Sequence, residues 1–419
     1  MSDIDLGGTS IDSAFTAAAQ LHQAGQLAEA AAAYRGILQR RPDHAAANSN
    51  LGTILQTQGA LAEAANHYRA AISARPAYPE AWNNLGLALM DLGQPDEATA
   101  AFRNAVGQKP DFAHAHFGLG MARLLDGDLV EGWREYDWRL LTPEFVQTRP
   151  EGRGWNGSTL GGQRILLAAE QGLGDTLQFV RYAPLVAARG GRVILFSQPP
   201  LAKLLRGVEG VEMVVDEIAK APPHACWAPL MSLPLVFGTT LGTIPANVPY
   251  VRPDPQLAGL WSQRIGPRRG LRVGVAWRGD PNQRRDAARS ASPAALAPLL
   301  QTPGIQVVSL QKDATHDELA ALDVPVLDTG PRLASFADTA AVVANLDLVI
   351  TVETAIAHLA GAMGARTWTL LPFAADWRWL RERADSPWYP SMRLFRQPAA
   401  GDWASVVAEA RAALAALTG

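Results

Sequence analysis

The first third of the chain carries small apolar and polar residues in a pattern that repeats every 34 residues. Its clearest markers are Pro42, Pro76 and Pro110, which stand 34 residues apart. Alignment on these prolines also matches Leu51 with Leu85, Gly52 with Gly86, Ala30 with Ala64 and Ala98, and Tyr34 with Tyr68 and Phe102. The apolar positions have helical spacing, and each proline ends the second of two amphipathic helices. The pattern therefore predicts stacked helix pairs.

A helix–turn–helix unit of 34 residues with these small, aromatic and proline positions resembles the tetratricopeptide repeat. We expect an α-helical solenoid of this type over residues 11–144, with three clear repeats and a degenerate fourth. The fourth unit adds an aromatic run, Trp133, Tyr136 and Trp138. Because a terminal repeat must cover its last face, the run predicts docking onto the next domain, with a solvent-facing cap as the alternative.

Two asparagines occupy the same position of neighbouring repeats. Asn50 and Asn84 each precede the Leu-Gly pair, whereas Thr16 and Gly118 hold this position in the outer repeats. The position resembles the asparagine ladder of O-GlcNAc transferases, in which side-chain amides hold a peptide backbone. An amide both donates and accepts hydrogen bonds, so it can bind a backbone of any sequence. Peptide binding by Asn50 and Asn84 and an ordinary surface role both remain open.

Beyond residues 141–162 the pattern changes to short apolar runs that alternate with segments of helical period. The runs are RILLAAE, RVILF and VEMVV, and then LRVGVAW, IQVVSL, VPVLD, LDLVIT and RTWTLL. This alternation predicts parallel sheets wrapped by helices, an α/β fold. A proline-dotted stretch around 240–268 separates the two rounds and predicts two Rossmann-like domains, over residues 160–250 and 268–419. Ligands of such sheets bind at the carboxyl ends of the strands, so we expect a cleft between the domains.

Composition excludes several classes of function. A net charge of −3, from 37 basic and 40 acidic residues, argues against nucleic-acid binding. The single cysteine, Cys226, can form neither an internal disulfide nor a zinc site unaided. The N-terminus lacks the basic and apolar regions of a signal peptide, and no apolar run is long enough to span a bilayer. We therefore expect a cytoplasmic protein without a membrane span.

The first candidate site follows the first strand. Gly172 and Gly174 allow a tight turn and a close approach of a ligand, and Asp175 stands at the start of the next helix. An aspartate there can cap the helix, or it can take a proton from a hydroxyl in the cleft. The residues leave both readings open.

Two further segments follow strands of the second round. Arg278, Arg284, Arg285 and Arg289 lie within twelve residues, which indicates either an anion-binding loop or a solvated charged loop. After LDLVIT, a helix beginning near Thr354 would direct free N–H groups at a diphosphate. His358 lies one turn into this helix, as a core histidine or as a functional one.

Together these segments resemble the glycosyltransferases of the bacterial heptosyltransferase type, which have the GT-B fold. The motifs that carry the resemblance over residues 160–419 are GLGDTLQFVRYAPL, VGVAWRGDPNQRRDAARS and LDLVITVETAIAHLAGAMGARTWTLLPFAADWRWL. The resemblance implies Asp175 as catalytic base. It implies a donor site that contains Gly174, Arg284 or Arg289, Gln311, Lys312, Glu353, Thr354, Ala355 and His358. Two positions depart from the family pattern, because Glu353 replaces the usual Asp and Ala355 the more frequent Gly.

Repeats followed by such a domain resemble bacterial fusion proteins that glycosylate proteins such as flagellin. This implies inverting transfer of a sugar from a nucleotide-sugar co-substrate to a Ser or Thr hydroxyl of a protein held by the repeats. With no DxD motif and no His/Cys cluster, we expect neither a required metal nor another cofactor. The alternatives are a glycan- or lipid-directed transferase, a non-catalytic scaffold, and a nucleotide-sugar epimerase. The sugar, the base, the acceptor and the oligomeric state stay open.

A dense aromatic stretch lies near the C-terminus, at Trp377, Trp379, Trp388 and Tyr389. Aromatic faces bind sugars, but they also fill cores and domain interfaces. We favour packing for this stretch.

Overall fold

Helix pairs form the first part of the chain, as the 34-residue period predicts. The computed structural model describes residues 10–146, 150–283 and 285–418, and within these ranges the chain divides into two compact units, on either side of the gap at residues 147–149. The paired helices of the first unit are α1 (Ile11–Gln23) with α2 (Leu27–Arg40), α3 (Ala45–Thr57) with α4 (Leu61–Ala74), α5 (Pro79–Asp91) with α6 (Pro95–Gln108), and α7 (Ala113–Leu125) with α8 (Leu129–Tyr136). A 3-10 helix (Asp137–Leu141) and the short α9 (Pro143–Val146) follow.

The recurring glycines are explained by the aromatic rings that lie on them. A Cβ at Gly52 would lie 2.8 Å from the ring of Tyr68, and one at Gly86 would lie 2.6 Å from the ring of Phe102. Tyr68 and Phe102 are completely buried. The first helix of a repeat therefore needs glycine where the aromatic residue of the second helix crosses it.

The aromatic run of the fourth repeat packs within the helical unit. Trp138 stacks on His116 with ring centroids 3.9 Å apart, and Tyr136 meets Phe117 edge-on at 5.0 Å. A Cβ at Gly120 would lie 2.4 Å from the backbone nitrogen of Tyr136. These contacts account for the aromatic residues inside their own repeat, and docking onto another domain stays a prediction.

The second unit contains two parallel sheets, which confirms the α/β prediction. The first sheet has the strand order β3-β2-β1-β4, with β1 (Arg164–Ala168), β2 (Arg192–Phe196), β3 (Val211–Val215) and β4 (Cys226–Pro229). Its register pairs Ile165 with Val193 and with Cys226. The helices are α10 (Leu173–Phe179), α11 (Ala183–Ala188), α12 (Pro199–Leu205) and α13 (Leu233–Val236).

The second sheet has the order β10-β9-β8-β5-β6-β7 and is also parallel. After α14 (Pro255–Ile265), its elements are β5 (Leu271–Ala276), α15 (Asp286–Arg289), α16 (Pro293–Leu300), β6 (Ile305–Ser309), α17 (His316–Ala320), β7 (Val326–Asp328), α18 (Phe336–Val343), β8 (Leu348–Val352), α19 (Ala355–Ala362), β9 (Thr367–Leu371), β10 (Met392–Arg396) and α20 (Trp403–Thr418). Val273, Ile350 and Leu370 lie in its buried core. From β5, the chain first adds β6 and β7 on one side and then β8, β9 and β10 on the other. The strand order therefore reverses between β5 and β8, and the carboxyl ends of these two strands form the crevice where such sheets bind ligands.

Sequence patterns missed three elements. β4 is short and ends at Pro229, and β10, with the sequence MRLFR, has charged residues on its exposed face. The stretch predicted as a linker contains α14, which begins with Pro255 behind a cap by Asp254. Each predicted Rossmann-like range contains one sheet, while the range boundaries and the GT-B arrangement stay predictions.

The aromatic stretch near the C-terminus packs, as expected. Trp379, Trp388 and Tyr389 are at most 1% exposed. Trp388 meets Phe179 of the first sheet's half edge-on, with ring centroids 5.9 Å apart. In the described part of the chain, no helix combines the length and the apolar character that crossing a membrane requires.

Candidate functional site

A cavity of about 620 Å³ opens at the carboxyl ends of both sheets. It is bordered by the segments that follow β1, β5, β6, β8 and β9. These segments come from distant parts of the sequence and meet because parallel strands all point to the same edge of their sheet. The cavity brings together the predicted residues Gly174, Asp175, Arg289, Gln311, Lys312, Glu353, Thr354, Ala355 and His358. Arg284 lies outside the described residues.

Asp175 contributes to the turn that starts α10. Its Oδ2 accepts a hydrogen bond from the backbone N–H of Gly172 at 2.7 Å, so the side chain closes the first turn of the helix. Its Oδ1 is ion-paired with Arg378. Each carboxylate oxygen has further acceptor capacity, and the group borders the cavity. The capping role is therefore observed, and a role as base stays a prediction.

Arg378 is a site residue that sequence reasoning missed. It lies in a 3-10 turn (Trp377–Trp379) after β9 and is 7% exposed. Besides Asp175, its guanidinium donates to Oδ1 of Asp376 at 2.7 Å and to Oε1 of Gln178 at 2.7 Å. The signal in the sequence is an arginine between two tryptophans, Trp377 and Trp379, in the segment that follows β9.

The N-terminus of α19 points at the cavity. Thr354 caps this helix, because its Oγ1 accepts from the backbone N–H of Ile356 at 3.2 Å. Thr354 and Ala355 both border the cavity. The helix start therefore lies where the sequence placed it, and such an end attracts anions through free N–H groups and the helix dipole.

Glu353 is a half-buried carboxyl group beside a second one. Burial raises its pKa from the ordinary 4.5 to about 7, and the negative charge of Asp376 adds to this effect. The Oε2 atom of Glu353 accepts from the backbone N–H of Asp376 at 3.1 Å. Asp376 has a lowered pKa although its burial acts in the opposite direction, because Arg378 pairs with it. This pair thus consists of a carboxylate, Asp376, and a carboxyl group, Glu353, that titrates near neutrality.

His358 is neutral in this environment. Burial lowers the pKa of its imidazole to about 3, and the positive charge of Arg378 lowers it further. Its Nδ1 lies 2.9 Å from the hydroxyl of Tyr389, and its ring stacks on Trp379 at 5.3 Å. A Cβ at Gly174 would lie 2.6 Å from Cδ2 of His358. His358 is thus a packed residue that also borders the cavity.

The hydrogen bonds around Tyr389 determine which nitrogen of His358 carries the proton. The hydroxyl of Tyr250 donates its single proton to the carbonyl of Leu177 at 2.9 Å. Tyr250 therefore accepts in its hydrogen bond with Tyr389, and Tyr389 donates. Since Tyr389 has no second proton, it accepts from Nδ1–H of His358. The Nε2 of His358 is then left with its lone pair.

Two arginines of the arginine-rich loop, Arg278 and Arg289, border the cavity, and both are also paired with acidic residues. Arg278 donates to Oε1 of Glu318 at 2.8 Å and to Oδ2 of Asp313 at 2.9 Å, and its hydrogen bonds lower the pKa of Glu318 to about 2. Arg278 therefore fastens the loop. Arg289 lies close against Gly279 and borders the cavity, with Nε 3.2 Å from Oδ1 of Asp286.

Gln311 and Lys312 both border the cavity, but Gln311 is buried and Lys312 is exposed. Gln311 is buried, and its Oε1 accepts from the backbone N–H groups of Trp277 and Arg278, at 3.3 Å each. Its side chain thus shapes the loop after β5. Lys312 is exposed at the rim of the cavity, where its ammonium group can meet an anion.

Asn50 and Asn84 lie in the helical unit, on α3 and α5. Both are half-buried. Asn50 donates to the hydroxyl of Tyr34 at 3.0 Å, and Oδ1 of Asn84 accepts from Asn83 at 3.2 Å. Asn50 keeps its carbonyl oxygen for another partner, and Asn84 keeps its amide protons, so together they offer an acceptor and a donor.

No group of three or more His, Cys, Asp or Glu side chains within residues 10–146, 150–283 and 285–418 is arranged to hold a metal ion.

Comparisons with known proteins agree on the repeats. Two family models match, a TPR repeat over residues 57–93 and a tetratricopeptide repeat over residues 83–133. The chain therefore contains tetratricopeptide repeats, as the 34-residue period predicts. These matches fall on α3 to α8 and leave the α/β unit unmatched by them.

A curated relative extends into the α/β unit. Protein FlbA of Caulobacter vibrioides is 30% identical over 318 residues, which is 69% of this chain and 52% of FlbA. The chain thus spans about half the length of this relative. A match of 318 residues is longer than the helical unit, so the similarity includes part of the α/β unit.

Two similar solved structures each cover about a third of the chain. MamA is 19% identical, with a TM-score of 0.31, over 35% of this chain and 85% of its own. YrrB, described as a TPR protein with an unusual peptide-binding site, is 22% identical, with a TM-score of 0.31, over 34% of this chain and 75% of its own.

Proposed function

We propose that the protein is a glycosyltransferase that moves a sugar from a nucleotide-sugar donor to a Ser or Thr hydroxyl of a protein held by the repeats. The observation that carries this proposal is the cavity of about 620 Å³, where nine of the residues that the family resemblance implies meet, from both sheets. A volume of this size suits a ligand of nucleotide-sugar dimensions. The two sheets would form the halves of a GT-B arrangement.

The donor half would bind the leaving diphosphate. The start of α19, which Thr354 caps, offers the positive end of the helix dipole to an anion. Arg289 and Lys312 add positive side chains at the same cavity. These groups supply the charge that a metal ion supplies elsewhere, which supports transfer without a required metal.

The acceptor half would supply the base. In the proposed step Asp175 takes the proton of the acceptor hydroxyl, whose oxygen forms a bond to the anomeric carbon on the face opposite the diphosphate. The bond from that carbon to the diphosphate oxygen breaks, and the electron pair leaves with the diphosphate. The attack from the opposite face inverts the configuration of the sugar. The position of Asp175 on the other sheet's half from Thr354 supports this division of roles.

The repeats would recruit the acceptor through Asn50 and Asn84. The amide protons of Asn84 and the carbonyl oxygen of Asn50 suit a peptide backbone, whose groups alternate between acceptor and donor. The acceptor class is therefore a polypeptide.

The test is transfer to proteins by the full chain. The chain is incubated with a panel of nucleotide sugars and candidate acceptor proteins, and the acceptors are examined by intact-mass spectrometry. We expect a sugar-sized mass increase that is lost in Asp175→Ala and kept in Asp216→Ala, because Asp216 is exposed and pairs with Lys220. Transfer that is unchanged in Asp175→Ala would contradict the base assignment.

A wild-type chain that binds nucleotide but neither transfers nor hydrolyses any donor in the panel would contradict the proposed activity. That result would favour the scaffold alternative instead.

A further inference from the structure

We propose that Arg378 is a positioning residue, which holds Asp175 in its working orientation by joining it to Asp376 across the cavity. The inference rests on the proposed function, since it gives Arg378 a part in the same reaction. It starts from one ion pair between the two halves of the α/β unit, Arg378 with Asp175.

The guanidinium of Arg378 is divided between the two halves. Nη2 contacts Oδ1 of Asp175, and Nε donates to Gln178 of the same helix, α10, at 2.7 Å. Nη1 donates to Asp376, on its own turn, at 2.7 Å. The fork thus fits two partners on α10 and one on the loop after β9, which a lysine with one ammonium group cannot reproduce.

The surroundings of Arg378 leave the side chain little freedom. Its side chain is 8% exposed. The guanidinium carbon lies 4.2 Å from the centre of the Trp377 ring. The backbone N–H of Arg378 donates to the carboxylate of Asp376 at 3.0 Å. The same carboxylate therefore stabilises the turn and pairs with the guanidinium. An arginine held in this way orients its partner rather than following it.

The two oxygens of Asp175 are thereby assigned to different partners. The Gly172 N–H holds Oδ2 from within α10, and Arg378 holds Oδ1 from the other half. Two directional contacts fix the plane of the carboxylate, which a single contact would leave free to rotate. Because one contact comes from each half, Asp175 reaches this orientation only when the two halves are together.

Charge also connects the three residues. Arg378 carries one positive charge between two carboxylates, those of Asp175 and Asp376. Loss of the arginine would leave two carboxylates facing the same space, and each would protonate more readily. The base would then lose its orientation and would be protonated at a higher pH than in wild type.

The experiment compares full-length Arg378→Met and Arg378→Lys with wild type in donor turnover. We expect kcat to fall at least about 100-fold in Arg378→Met, with the donor KM within about threefold, since misplacement of a reacting group affects kcat first. The acid limb of the kcat profile should move to higher pH. Arg378→Lys should recover part of kcat, because it restores the charge but not the fork. The control is Arg383→Met, whose arginine is partly exposed and pairs with Asp385.

A kcat for Arg378→Met equal to that of wild type, with an unchanged pH profile, would overturn the proposal. So would an equal fall in Arg383→Met. If Arg378→Met fails to fold, Arg378→Lys and Asp376→Asn serve as the test. Full activity with an unchanged profile in both would overturn the proposal as well.

A second measurement does not depend on turnover. Urea unfolding of full-length Asp175→Asn, Arg378→Met and the double variant should show that each substitution lowers the unfolding free energy less when the other is already present, since the pair is then already broken. Additive effects would overturn the pairing. Absent turnover in a wild type that shows the coupling would instead overturn the proposed function, so the two failures are distinguishable.

Discussion

The imidazole of His358 lies directly against the backbone of Gly174, so that a Cβ at residue 174 would be 2.6 Å from Cδ2 of the ring. Gly174 belongs to α10, after the first sheet's β1, and His358 belongs to α19, after the second sheet's β8. The glycine that the sequence suggests for a close ligand approach therefore also allows the two halves to approach each other. Any larger residue must move the ring or separate the helices.

This contact predicts the effect of Gly174→Ala. His358 is buried and held by Tyr389 and Trp379, so it cannot move without loss of contacts. We expect the unfolding free energy to fall by about 1–3 kcal/mol, as for overpacked cores. Urea unfolding of the full chain measures the change.

Gly259→Ala is the matched control. Gly259 lies in α14, and a Cβ there would have no neighbour within 4 Å. This substitution should leave stability unchanged or raise it by about 0.4–1 kcal/mol. Equal stability of the two variants would contradict the close contact between Gly174 and His358.

The raised pKa of Glu353 predicts a defined pH dependence of stability. Between the ordinary pKa of 4.5 and the folded value of about 7, the folded chain binds more protons at Glu353 than the unfolded chain does. The contribution of Glu353 is thus fully present below pH 4.5 and is lost as the pH rises through 7. Glu353→Gln should abolish this loss, so the variant gains relative to wild type by about 1–3 kcal/mol across the window.

Unfolding free energies of wild type and Glu353→Gln, measured from pH 4 to pH 8, provide the test. His358 has the opposite sign, since its pKa of about 3 makes its contribution present above 6.5 and lost as the pH falls towards 3. It occurs in both proteins and cancels in their difference. Parallel curves would mean that the pKa of Glu353 is the same in the folded and the unfolded chain, which would contradict the raised value.

The hydrogen bonds of Tyr389 predict the tautomer of His358. We expect Nδ1 to carry the proton at pH 7, with Nε2 as an acceptor. Nitrogen-15 NMR of histidine-labelled full chain distinguishes the two nitrogens directly. Tyr389→Phe removes the acceptor of Nδ1–H and should shift the population towards the Nε2–H form.

His224 is an internal reference for this measurement. Its Nδ1 lies 3.0 Å from the carbonyl oxygen of Pro222, which can only accept, so Nδ1 must donate. Its signals should match the tautomer expected for His358 and should not change in Tyr389→Phe. A wild-type His358 protonated at Nε2 would contradict the assigned direction of the hydrogen bonds.

The proposed role of the two asparagines predicts that their loss weakens binding of the acceptor protein and leaves hydrolysis of the nucleotide-sugar donor unchanged. The double substitution Asn50→Ala with Asn84→Ala removes one hydrogen-bond acceptor and one hydrogen-bond donor from the repeats. We expect the acceptor-protein KM to rise about thirtyfold, because two hydrogen bonds of about 1 kcal/mol each are lost. Donor hydrolysis should stay unchanged. Steady-state kinetics with protein acceptor and with donor alone measure both quantities.

Asn66→Ala is the control for this prediction. Asn66 is exposed on α4, so its loss should change neither quantity. An acceptor KM that is equal in the double variant and in the control would show that Asn50 and Asn84 do not bind the acceptor.

Features that depend on neighbouring residues could be predicted from the sequence, whereas contacts between distant residues could not. The repeat period, the parallel strands with strong apolar runs, and the cap by Thr354 all depend on neighbours within a few residues, and all are found in the structure. β10 was missed because its charged residues break the apolar run, and Arg378 because its partners Asp175 and Gln178 are about 200 positions away. No spacing in the chain expresses such a pairing.

By itself, the sequence determined the helical repeats, the α/β alternation and the strand ends at which to look for a site, because each follows from the period of the apolar residues. Only the tertiary structure decided what those residues do there. It paired Arg278 with Glu318, left His358 neutral, raised the pKa of Glu353 and gave Asp175 a partner in the opposite half. Those properties arise from burial and from charges that folding brings together, so they exist only in the folded chain.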